Sequence, residues 1–403
     1  MSGPVNVDEI RAASDLLRDV LVDTPVLHSR FLSEKVDGPV YLKCENLQRA
    51  GSFKVRGAYV RIARLTEAER AGGVVAASAG NHAQGVALAA GLLGSKATVF
   101  MPEGAPLPKV EATRSYGADV ILQGPAVDHC LDAAREHAEQ HGKVFIHPFD
   151  HPDIVTGQGT IGLEILGQCP DVRTIVVAVG GGGLASGIAA AVKELRPDVK
   201  VMGVQAKRAA AFPPSLATGH PVSVDVGPTM ADGIAVGRPG ELTYAMVAEL
   251  VDAVVTVSEE SLAQALLACL ERSKQVVEPA GAAGVAAMLE HSYAVEPPVV
   301  AVLSGGNIDP LLLAKVLRHG LSAAGRYLVF RCRLSDRPGA LVTLLSELAE
   351  LGVNVLDVTH ERVAPRLHVD EAEVLLHLET RGQEHCDEVL GRLRAGGYTL
   401  SFT

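Results

Sequence analysis

The chain has 403 residues, of which 48% are apolar and 21% charged, and its formal net charge is −11. This length exceeds one ordinary hydrophobic core, so two or three domains are expected in a globular α/β protein. The acidic balance, the absence of Trp and the few Phe and Tyr residues argue against a basic, aromatic surface for nucleic acid.

The six cysteines are scattered without a CxxC pair, which indicates a reduced, cytoplasmic chain without a disulfide framework or zinc cage. The first residues, "MSGPVNVDEIRAASD", carry early acidic side chains and no apolar run, so no signal peptide is expected. The longest uncharged run, "TIVVAVGGGGLASGIAAAV", contains four consecutive glycines. It fits a buried strand, a tight loop and a helix better than a membrane span, so no membrane partner is expected.

From about residue 41 to residue 330, short β-branched runs alternate with alanine-rich helical patterns. The runs predicted as strands are "GGVVAAS", "KATVF", "ADVIL", "TIVVAV", "KVMGVQA", "AVVTV" and "PVVAVLS". Because they are apolar throughout, they predict parallel strands covered on both faces, in a doubly wound α/β architecture. Ligands of such sheets bind beyond the carboxyl ends of the strands, which makes the following loops informative.

The first informative segment is "RAGSFKVRGA", in which Lys54 lies in an apolar setting between Gly51 and Gly57. Taken alone, Lys54 is most simply a surface lysine whose stem covers apolar residues while its ammonium reaches water. In a buried setting its pKa falls, and the neutral amine is a nucleophile toward an aldehyde.

The next loop lies in "VVAASAGNHAQGVALAAG", where a strand ends at Ala77 and a helix begins near His82. Backbone N–H groups at a helix N-terminus form an anion site. The alternative is an ordinary strand–helix loop in which Ser78 or Asn81 is the N-cap, and loop pattern alone favours that alternative.

Two further loops follow buried strands. In "VVAVGGGGLASGIAAAV", Gly180 to Gly183 leave room for a phosphate against the backbone, without the spacing of a Walker A or dinucleotide motif. In "VVAVLSGGNIDP", Ser304 is either a helix cap or a hydrogen-bond partner for a ring nitrogen. An amine, a phosphate cradle and a hydroxyl for a ring nitrogen together indicate pyridoxal 5'-phosphate (PLP).

The pattern changes after about residue 320. The segment from "GRYLVFRCRLS" to the end of the chain is predicted as strand, helix, strand, strand, helix, strand, a small α+β unit of the split βαβ kind. We place the domain boundary near residues 323–326, with one domain over residues 1–325 and a second over residues 326–403.

With these motifs in place, the sequence resembles the threonine dehydratases (threonine ammonia-lyases), PLP enzymes of the tryptophan-synthase-β-like fold. The resemblance covers nearly the whole chain. It is carried in order by "ENLQRAGSFKVRGA", "SAGNHAQGVA", "MPEGAPLPKVEATRSYGADVIL", "HPFDHPDIVTGQGTIGLEI", "GGGGL", "EPAGA" and "SGGN".

The resemblance implies a two-lobed parallel-sheet catalytic domain in which Lys54 carries PLP as a Schiff base and, once freed, acts as the catalytic base. It implies that Phe53 packs against the ring, Asn81 bonds the ring hydroxyl and Ser304 meets the pyridine nitrogen. It also assigns the phosphate to Gly180, Gly181, Gly182, Gly183 and Leu184. The substrate carboxylate is assigned to Ser78, Ala79, Gly80, Asn81 and His82.

Two details indicate β-elimination. A hydroxyl at Ser304 does not hold the pyridine nitrogen protonated, so a long-lived carbanion is disfavoured and loss of the β-hydroxyl keeps pace with proton loss. The cofactor phosphate is the candidate proton donor to that hydroxyl, as the family chemistry suggests. Serine racemases of this fold carry a second serine where this chain has Ala79, and a methyl group delivers no proton.

The C-terminal βαββαβ pattern and its "DRPGAL" turn resemble an ACT domain, a regulatory module of amino-acid metabolism. Asp336, Pro338, Gly339 and Asn354 are the candidate effector residues, and isoleucine, valine or a nucleotide is the candidate effector. The alternative is a unit that only extends a subunit interface in a homodimer or homotetramer. Asp232, with Glu241 nearby, is a candidate for a cation site as in some relatives, but solvated loop acids are commoner, so no metal is assigned.

The leading hypothesis is deamination of L-threonine to 2-oxobutanoate and ammonia, with L-serine to pyruvate as a side reaction, in isoleucine biosynthesis or in threonine breakdown. Two alternatives remain. One is a PLP enzyme of the same fold with another reaction, such as β-replacement or racemisation. The other is a non-catalytic amino-acid sensor. The sequence does not rank threonine above serine, because one methyl group changes selectivity by only about 1–3 kcal/mol.

Overall fold

The computed structural model describes residues 5–363 and 367–402. The chain divides into two compact units, Met1–Pro310 and Leu311–Thr403. A helix, Pro310–Ala323, begins at this division and precedes the C-terminal sheet. The domain boundary between residues 325 and 326 stays a prediction.

The helices of the first unit are α1 (Val7–Leu17), α2 (Arg30–Val36), α3 (Lys54–Ala63), α4 (Glu67–Gly72), α5 (Asn81–Leu92), α6 (Leu107–Ser115), α7 (Val127–His141), α8 (Pro152–Gln168), α9 (Gly183–Leu195), α10 (Phe212–Thr218), α11 (Glu241–Leu250), α12 (Glu259–Ser273) and α13 (Ala283–Glu290). Short 3-10 helices span Glu45–Leu47, Arg49–Gly51, Lys207–Ala209, Asp232–Ile234 and Ser292–Ala294. Helix α14 is Pro310–Ala323.

Ten strands of the first unit form two sheets. They are β1 (Val26–His28), β2 (Val40–Lys43), β3 (Val74–Ala77), β4 (Ala97–Met101), β5 (Asp119–Leu122), β6 (Val144–Phe145), β7 (Thr174–Ala178), β8 (Lys200–Ala206), β9 (Ala253–Val257) and β10 (Val299–Val302). The larger sheet has the order β1-β2-β10-β7-β8-β9, and the smaller has the order β5-β4-β3-β6. Each sheet belongs to one lobe, which confirms the two-lobed parallel-sheet fold.

The seven apolar runs predicted as strands are all strands, and all of them pair in parallel. Strands β3, β4, β7 and β10 are buried at every position, as continuous apolar runs require. The predicted runs do not include β1, β2 and β6, which have three, four and two residues. Strand β1 also pairs antiparallel with β2 at the sheet edge, an exception to the parallel expectation.

Helices and sheets of the first unit enclose separate apolar cores. One core lies on the larger sheet and includes Ile175, Val177 and Val300 together with Ile188 of α9. A second core lies on the smaller sheet, with Val74, Val99 and Met101. Loops that follow the strands of both sheets therefore meet the space between two independently packed lobes.

The second unit contains β11 (Tyr327–Ser335), α15 (Ala340–Glu350), β12 (Asn354–Glu361), β13 (Glu371–Glu379), α16 (Gln383–Ala395) and β14 (Thr399–Ser401). This is the predicted βαββαβ order. The antiparallel sheet has the order β12-β13-β11-β14, and both helices contribute to a core of its own.

Within residues 5–363 and 367–402, the structure has no helix long and apolar enough to cross a membrane. The run "TIVVAVGGGGLASGIAAAV" forms β7, a loop and α9, as predicted. All six cysteines are buried free thiols.

Candidate active site

A cavity of about 930 Å³ lies in the first unit. Its lining includes every residue that the sequence assigns to the cofactor or the substrate: Phe53, Lys54, Ser78, Ala79, Gly80, Asn81, His82, Gly180, Gly181, Gly182, Gly183, Leu184 and Ser304. These residues come from four separate segments of the chain, and the fold brings all four together.

Lys54 is the first residue of α3, as the sequence predicts for the start of a buried helix. Its Nζ donates a hydrogen bond to the carbonyl oxygen of Pro148 at 3.0 Å and lies 5.2 Å from the centroid of the Phe53 ring. Burial lowers the pKa of Lys54 to about 8, and the negative charge of Glu278 opposes this shift. A substantial fraction of this amine is neutral near physiological pH, which is the form that attacks a carbonyl carbon.

The N-terminus of α5 meets the cavity at the "SAGNH" turn. Gly80 is the N-cap, and no side chain of the described residues caps this helix. The ordinary alternative, with Ser78 or Asn81 as the cap, is therefore wrong: Ser78 Oγ accepts from the N–H of Gly80 instead. The first N–H groups of α5 are left to bind an anion.

His82 is buried in the same turn, and its Nε2 lies 2.9 Å from the carbonyl oxygen of Ile146. Because a carbonyl accepts only, Nε2 carries the proton and Nδ1 is the acceptor. Burial, with a smaller contribution from the Lys54 charge, lowers the pKa of His82 to about 3. This imidazole is neutral and positions the turn without adding charge.

The glycine loop runs through a crowded crevice at the N-terminus of α9. A Cβ at Gly181 would lie 2.4 Å from the Phe149 ring, and one at Gly182 would lie 2.9 Å from Thr243 Cβ. Gly182, the N-cap of α9, has φ +101°, a left-handed conformation that favours glycine. Within the described chain no side chain caps α9, so its first N–H groups also face the cavity uncapped.

Ser304 lies just beyond the carboxyl end of β10 and is only 4% exposed. The next helix begins at Pro310, so Ser304 is not a helix cap, contrary to the alternative considered from the sequence. Its carbonyl accepts from the N–H of Phe53, and Ser52 forms a β-bridge with Gly305. Backbone pairing therefore holds the Ser304 segment against the Lys54 segment.

Several residues of the cavity were quoted in sequence motifs but given no role. Glu278, from "EPAGA", is 5% exposed and accepts from Asn81 Nδ2 at 2.5 Å. Burial raises the pKa of Glu278 to about 7. His147, from "HPFD", accepts from the N–H of Asp150 at 2.8 Å. A sequence reveals that a motif is present but does not reveal which side chain meets which.

The two acids considered for a cation each have a basic partner. Asp232 accepts from Lys109 Nζ at 2.8 Å, and Glu241 accepts from Arg238 at 2.7 Å. The described residues contain no group of three or more His, Cys, Asp or Glu side chains suited to a metal ion.

A buried ion network contacts helix α3, which begins at Lys54, through Arg56. Arg56 and Glu45, with fully buried side chains, form two hydrogen bonds of 2.8 Å each. Arg56 also bonds Glu164 of α8, which Lys43 contacts at 2.6 Å. The network contains two cationic and two anionic groups, so its charge is balanced within the core.

The four candidate effector residues do not form one cluster in the second unit. Asp336 and Gly339 follow the carboxyl end of β11, whereas Asn354 opens β12. Strand β12 begins at the opposite end of the sheet, since Asn354 pairs with Glu379. A nine-residue strand spans roughly 30 Å. Pro338 lies with Asp336, so a single chain does not place all four around one small ligand.

The contacts of these residues are also separate. Asp336 lies 3.3 Å from Arg362, and the Asn354 side chain donates to Glu379 at 3.0 Å. A shared effector site would require residues from more than one copy of the chain.

The cavity suits a phosphorylated aldehyde with an aromatic ring. It offers an amine with a lowered pKa, a glycine loop that side chains would obstruct, and two uncapped helix N-termini for two anionic groups. These features fit the phosphate and aldehyde of PLP, with the substrate carboxylate at the second helix.

Comparison with known proteins agrees with this chemistry. Residues 17–305 match the family described as "Pyridoxal-phosphate dependent enzyme". The chain is 48% identical to the L-threonine ammonia-lyase of Thermotoga maritima over 98% of this chain and 99% of the relative. It is 48% identical to the L-threonine ammonia-lyase of Geobacter sulfurreducens over 97% of this chain and 98% of the relative.

A solved structure gives the same result for the fold. The processed form of threonine deaminase isoform 2 from Solanum lycopersicum has a TM-score of 0.74 and 38% identity, over 77% of this chain and 86% of that one. Sequence family, full-length relatives and fold agree, and the chain belongs to the family of pyridoxal-phosphate-dependent enzymes.

Proposed function

We propose that this chain is a PLP-dependent threonine ammonia-lyase that converts L-threonine to 2-oxobutanoate and ammonia, with L-serine to pyruvate as a side reaction. The observation that carries the proposal is one cavity that joins Lys54, the Gly180–Gly183 loop, the α5 N-terminus and Ser304. The full-length similarity to L-threonine ammonia-lyases supports the reaction and the amino-acid substrate.

In this proposal, Lys54 holds the cofactor, Phe53 packs beside it, Asn81 and Ser304 contact its ring, and the glycine loop with Leu184 binds its phosphate. When bound, PLP withdraws electrons from the substrate Cα and so weakens the Cα–H bond. Thr243 Oγ1 donates to the carbonyl of Gly181 at 2.6 Å and Asp150 accepts from the N–H of Thr243, which fixes the glycine loop in place.

The remaining steps belong to the protein. The turn from Ser78 to His82 binds the substrate carboxylate with free N–H groups and thereby orients Cα. Lys54, once released, takes the Cα proton, and its lowered pKa suits a base that works near neutral pH. The Pro148 carbonyl holds the amine of Lys54 in this part of the cavity.

We further propose that residues 326–403 form an ACT-like regulatory domain and that the enzyme is a cytoplasmic homo-oligomer. The βαββαβ order and antiparallel sheet support the domain assignment. Strand β12 is an edge strand with five exposed positions, which favours pairing with a second copy. The effector is an amino acid such as isoleucine or valine, or a nucleotide.

The test is steady-state kinetics of the purified, PLP-loaded protein with L-threonine and L-serine, following each keto acid. We expect 2-oxobutanoate from threonine at a higher kcat/KM than pyruvate from serine. Keto acid from neither substrate would contradict the proposal. D-serine as the main product would favour the racemase alternative.

A further inference from the structure

Both ends of the Asn81 side-chain amide are engaged in the cavity wall. Nδ2 donates to Glu278 Oε1 at 2.5 Å, and Oδ1 accepts from Asn307 Nδ2 at 2.8 Å. Asn307 is anchored in turn, because its Nδ2 also donates to the carbonyl of Ala50 at 2.7 Å. A backbone carbonyl accepts only, so the contact with Ala50 identifies the NH₂ group of Asn307. Because that NH₂ group donates only, the Asn81 atom beside it is the oxygen, and the Asn81 atom beside Glu278 is the nitrogen.

Glu278 is held as firmly as the amide that it contacts. Its backbone N–H donates to the carbonyl of Gly305 at 3.0 Å. A Cβ at Gly305 would lie 2.3 Å from Glu278 Oε1 and 3.0 Å from Asn81 Nδ2. A side chain at position 305 would therefore displace the Asn81–Glu278 hydrogen bond.

Glu278 has a second possible role, as an ion-pair partner of Lys54. The Lys54 ammonium instead donates to the carbonyl of Pro148, and the carboxylate accepts from Asn81. Glu278 therefore interacts with Lys54 only through its charge, whereas it forms a direct hydrogen bond with Asn81. The hydrogen-bond geometry makes the Asn81 amide the direct partner of Glu278.

We propose that Glu278 and Asn307 are positioning residues that lock the Asn81 amide with one N–H on Glu278 and the other directed to an acidic oxygen of the bound cofactor. This inference rests on the proposed function, since Asn81 must face PLP. If Asn81 rotated by half a turn, its carbonyl oxygen would face the same cofactor oxygen, and two acceptors would repel each other.

The test measures PLP binding to the apoenzyme by equilibrium dialysis, independently of turnover. Glu278→Ala is expected to raise the apparent dissociation constant about tenfold, the effect of one lost hydrogen bond. Glu278→Gln keeps an acceptor oxygen and is expected to stay within about threefold of the parent. Asp387→Ala is the matched control, because it removes a carboxylate that accepts from the Gln383 amide in the second unit, and it is expected to leave the constant unchanged.

The double variant Asn81→Ala/Glu278→Ala distinguishes an effect of Glu278 on the position of Asn81 from general damage to the fold. If Glu278 acts through Asn81, Glu278→Ala has no further effect on PLP affinity once Asn81 is alanine. Asn307→Ala is expected to behave in the same way and replaces Glu278→Ala if that variant does not fold. Additive losses, or wild-type affinity in both single variants, would overturn the inference. Absence of PLP binding by the parent chain would instead contradict the proposed function.

Discussion

At the scale of single residues, the proposed function gives Lys54 two roles, as the anchor of PLP and as the catalytic base. Its ammonium contacts a carbonyl in an open cavity and not a core partner. We expect Lys54→Ala to lower turnover by about 10³-fold or more, because general-base catalysis alone contributes up to about 10⁴-fold. A keto-acid assay measures turnover, and a circular-dichroism spectrum shows whether the variant is folded. Near-normal turnover in the folded variant would remove Lys54 from the mechanism.

The pKa of Lys54 has a consequence for reconstitution. The amine attacks PLP only when neutral, and burial sets its pKa at about 8 against about 10.4 for an exposed lysine. The rate of PLP uptake by the apoenzyme should therefore rise with pH up to about 8 and then level off. Stopped-flow absorbance measures this rate, with Nα-acetyl-lysine as the reference amine. An uptake rate that keeps rising toward pH 10 would show that the amine is not buried.

Ala79 is the residue that separates elimination from racemisation in this proposal. It lines the cavity in the carboxylate turn, where a serine hydroxyl could protonate the opposite face of Cα. Ala79→Ser is expected to produce D-serine from L-serine, detected by chiral chromatography. The control combines Ala79→Ser with Ser78→Ala, so that the number of hydroxyl groups in the turn is unchanged. Equal D-serine with and without the substitution at position 79 would place face selection elsewhere.

At the scale of elements, helices α3 and α8 cross in backbone contact, and this crossing positions Lys54. A Cβ at Gly157 would lie 2.6 Å from Gly57 Cα and 2.7 Å from the Arg56 carbonyl oxygen. Backbone atoms cannot yield as a flexible side chain does. The two helices must separate if position 157 gains a side chain.

Gly157→Ala is therefore expected to cost about 1–3 kcal/mol of stability and to lower kcat, since Lys54 begins α3. Gly167→Ala on the same helix is the control: its Cβ meets nothing within 4 Å. That substitution should be neutral or stabilise by up to about 1 kcal/mol. Thermal unfolding of the two variants checks the difference. Equal midpoints would show that the crossing tolerates a methyl group.

The same scale shows what the sequence could predict. Continuous apolar runs predicted β3, β4, β5, β7, β8, β9 and β10. Burial on both faces explains this pattern in β3, β4, β7 and β10, whereas β5 and β9 are partly exposed. Strands β1 and β6 were missed because two or three residues have no measurable period, and β2, a four-residue strand that ends in Lys43, was missed as well. The ion network around Arg56 was missed for another reason. Glu164 is more than 100 positions from Lys43 and Arg56, and it reaches Arg56 only through the packing of α3 against α8.

In the candidate site, too, features with a local sequence pattern could be predicted and contacts between distant residues could not. Residues in loops after buried strands could be assigned from the sequence, since parallel strands bring those loops to one edge. The role of Glu278 could not, because it depends on a hydrogen bond to Asn81 across 197 positions of the chain. Asn354 was grouped with Asp336 on turn pattern, whereas the sheet places the two at opposite ends.

At the scale of the whole molecule, the two compact units allow the proposed catalytic and regulatory roles to be tested separately. The cavity and all its lining residues lie in Met1–Pro310, and the second unit has a separate core. Deletion of residues 326–403 should therefore leave a PLP-binding enzyme with a visible cofactor band and measurable threonine turnover. Loss of the cofactor band would show that the first unit needs the second in order to fold.

The effector response is the decisive measurement on that truncated enzyme. An effector that alters threonine affinity must itself bind differently when threonine is present, because coupling between two sites is reciprocal. We expect isoleucine, valine or a nucleotide to change KM in the full chain and to have no effect after the deletion. In the full chain, Asp336→Ala and Asn354→Ala test the two ends of the sheet separately. If both substitutions abolish the response, the effector site combines opposite ends of the sheets of two copies. If only one substitution abolishes it, the effector binds at that end of the sheet alone. A truncated enzyme that still responds would place the effector in the first unit and leave the second unit a structural role.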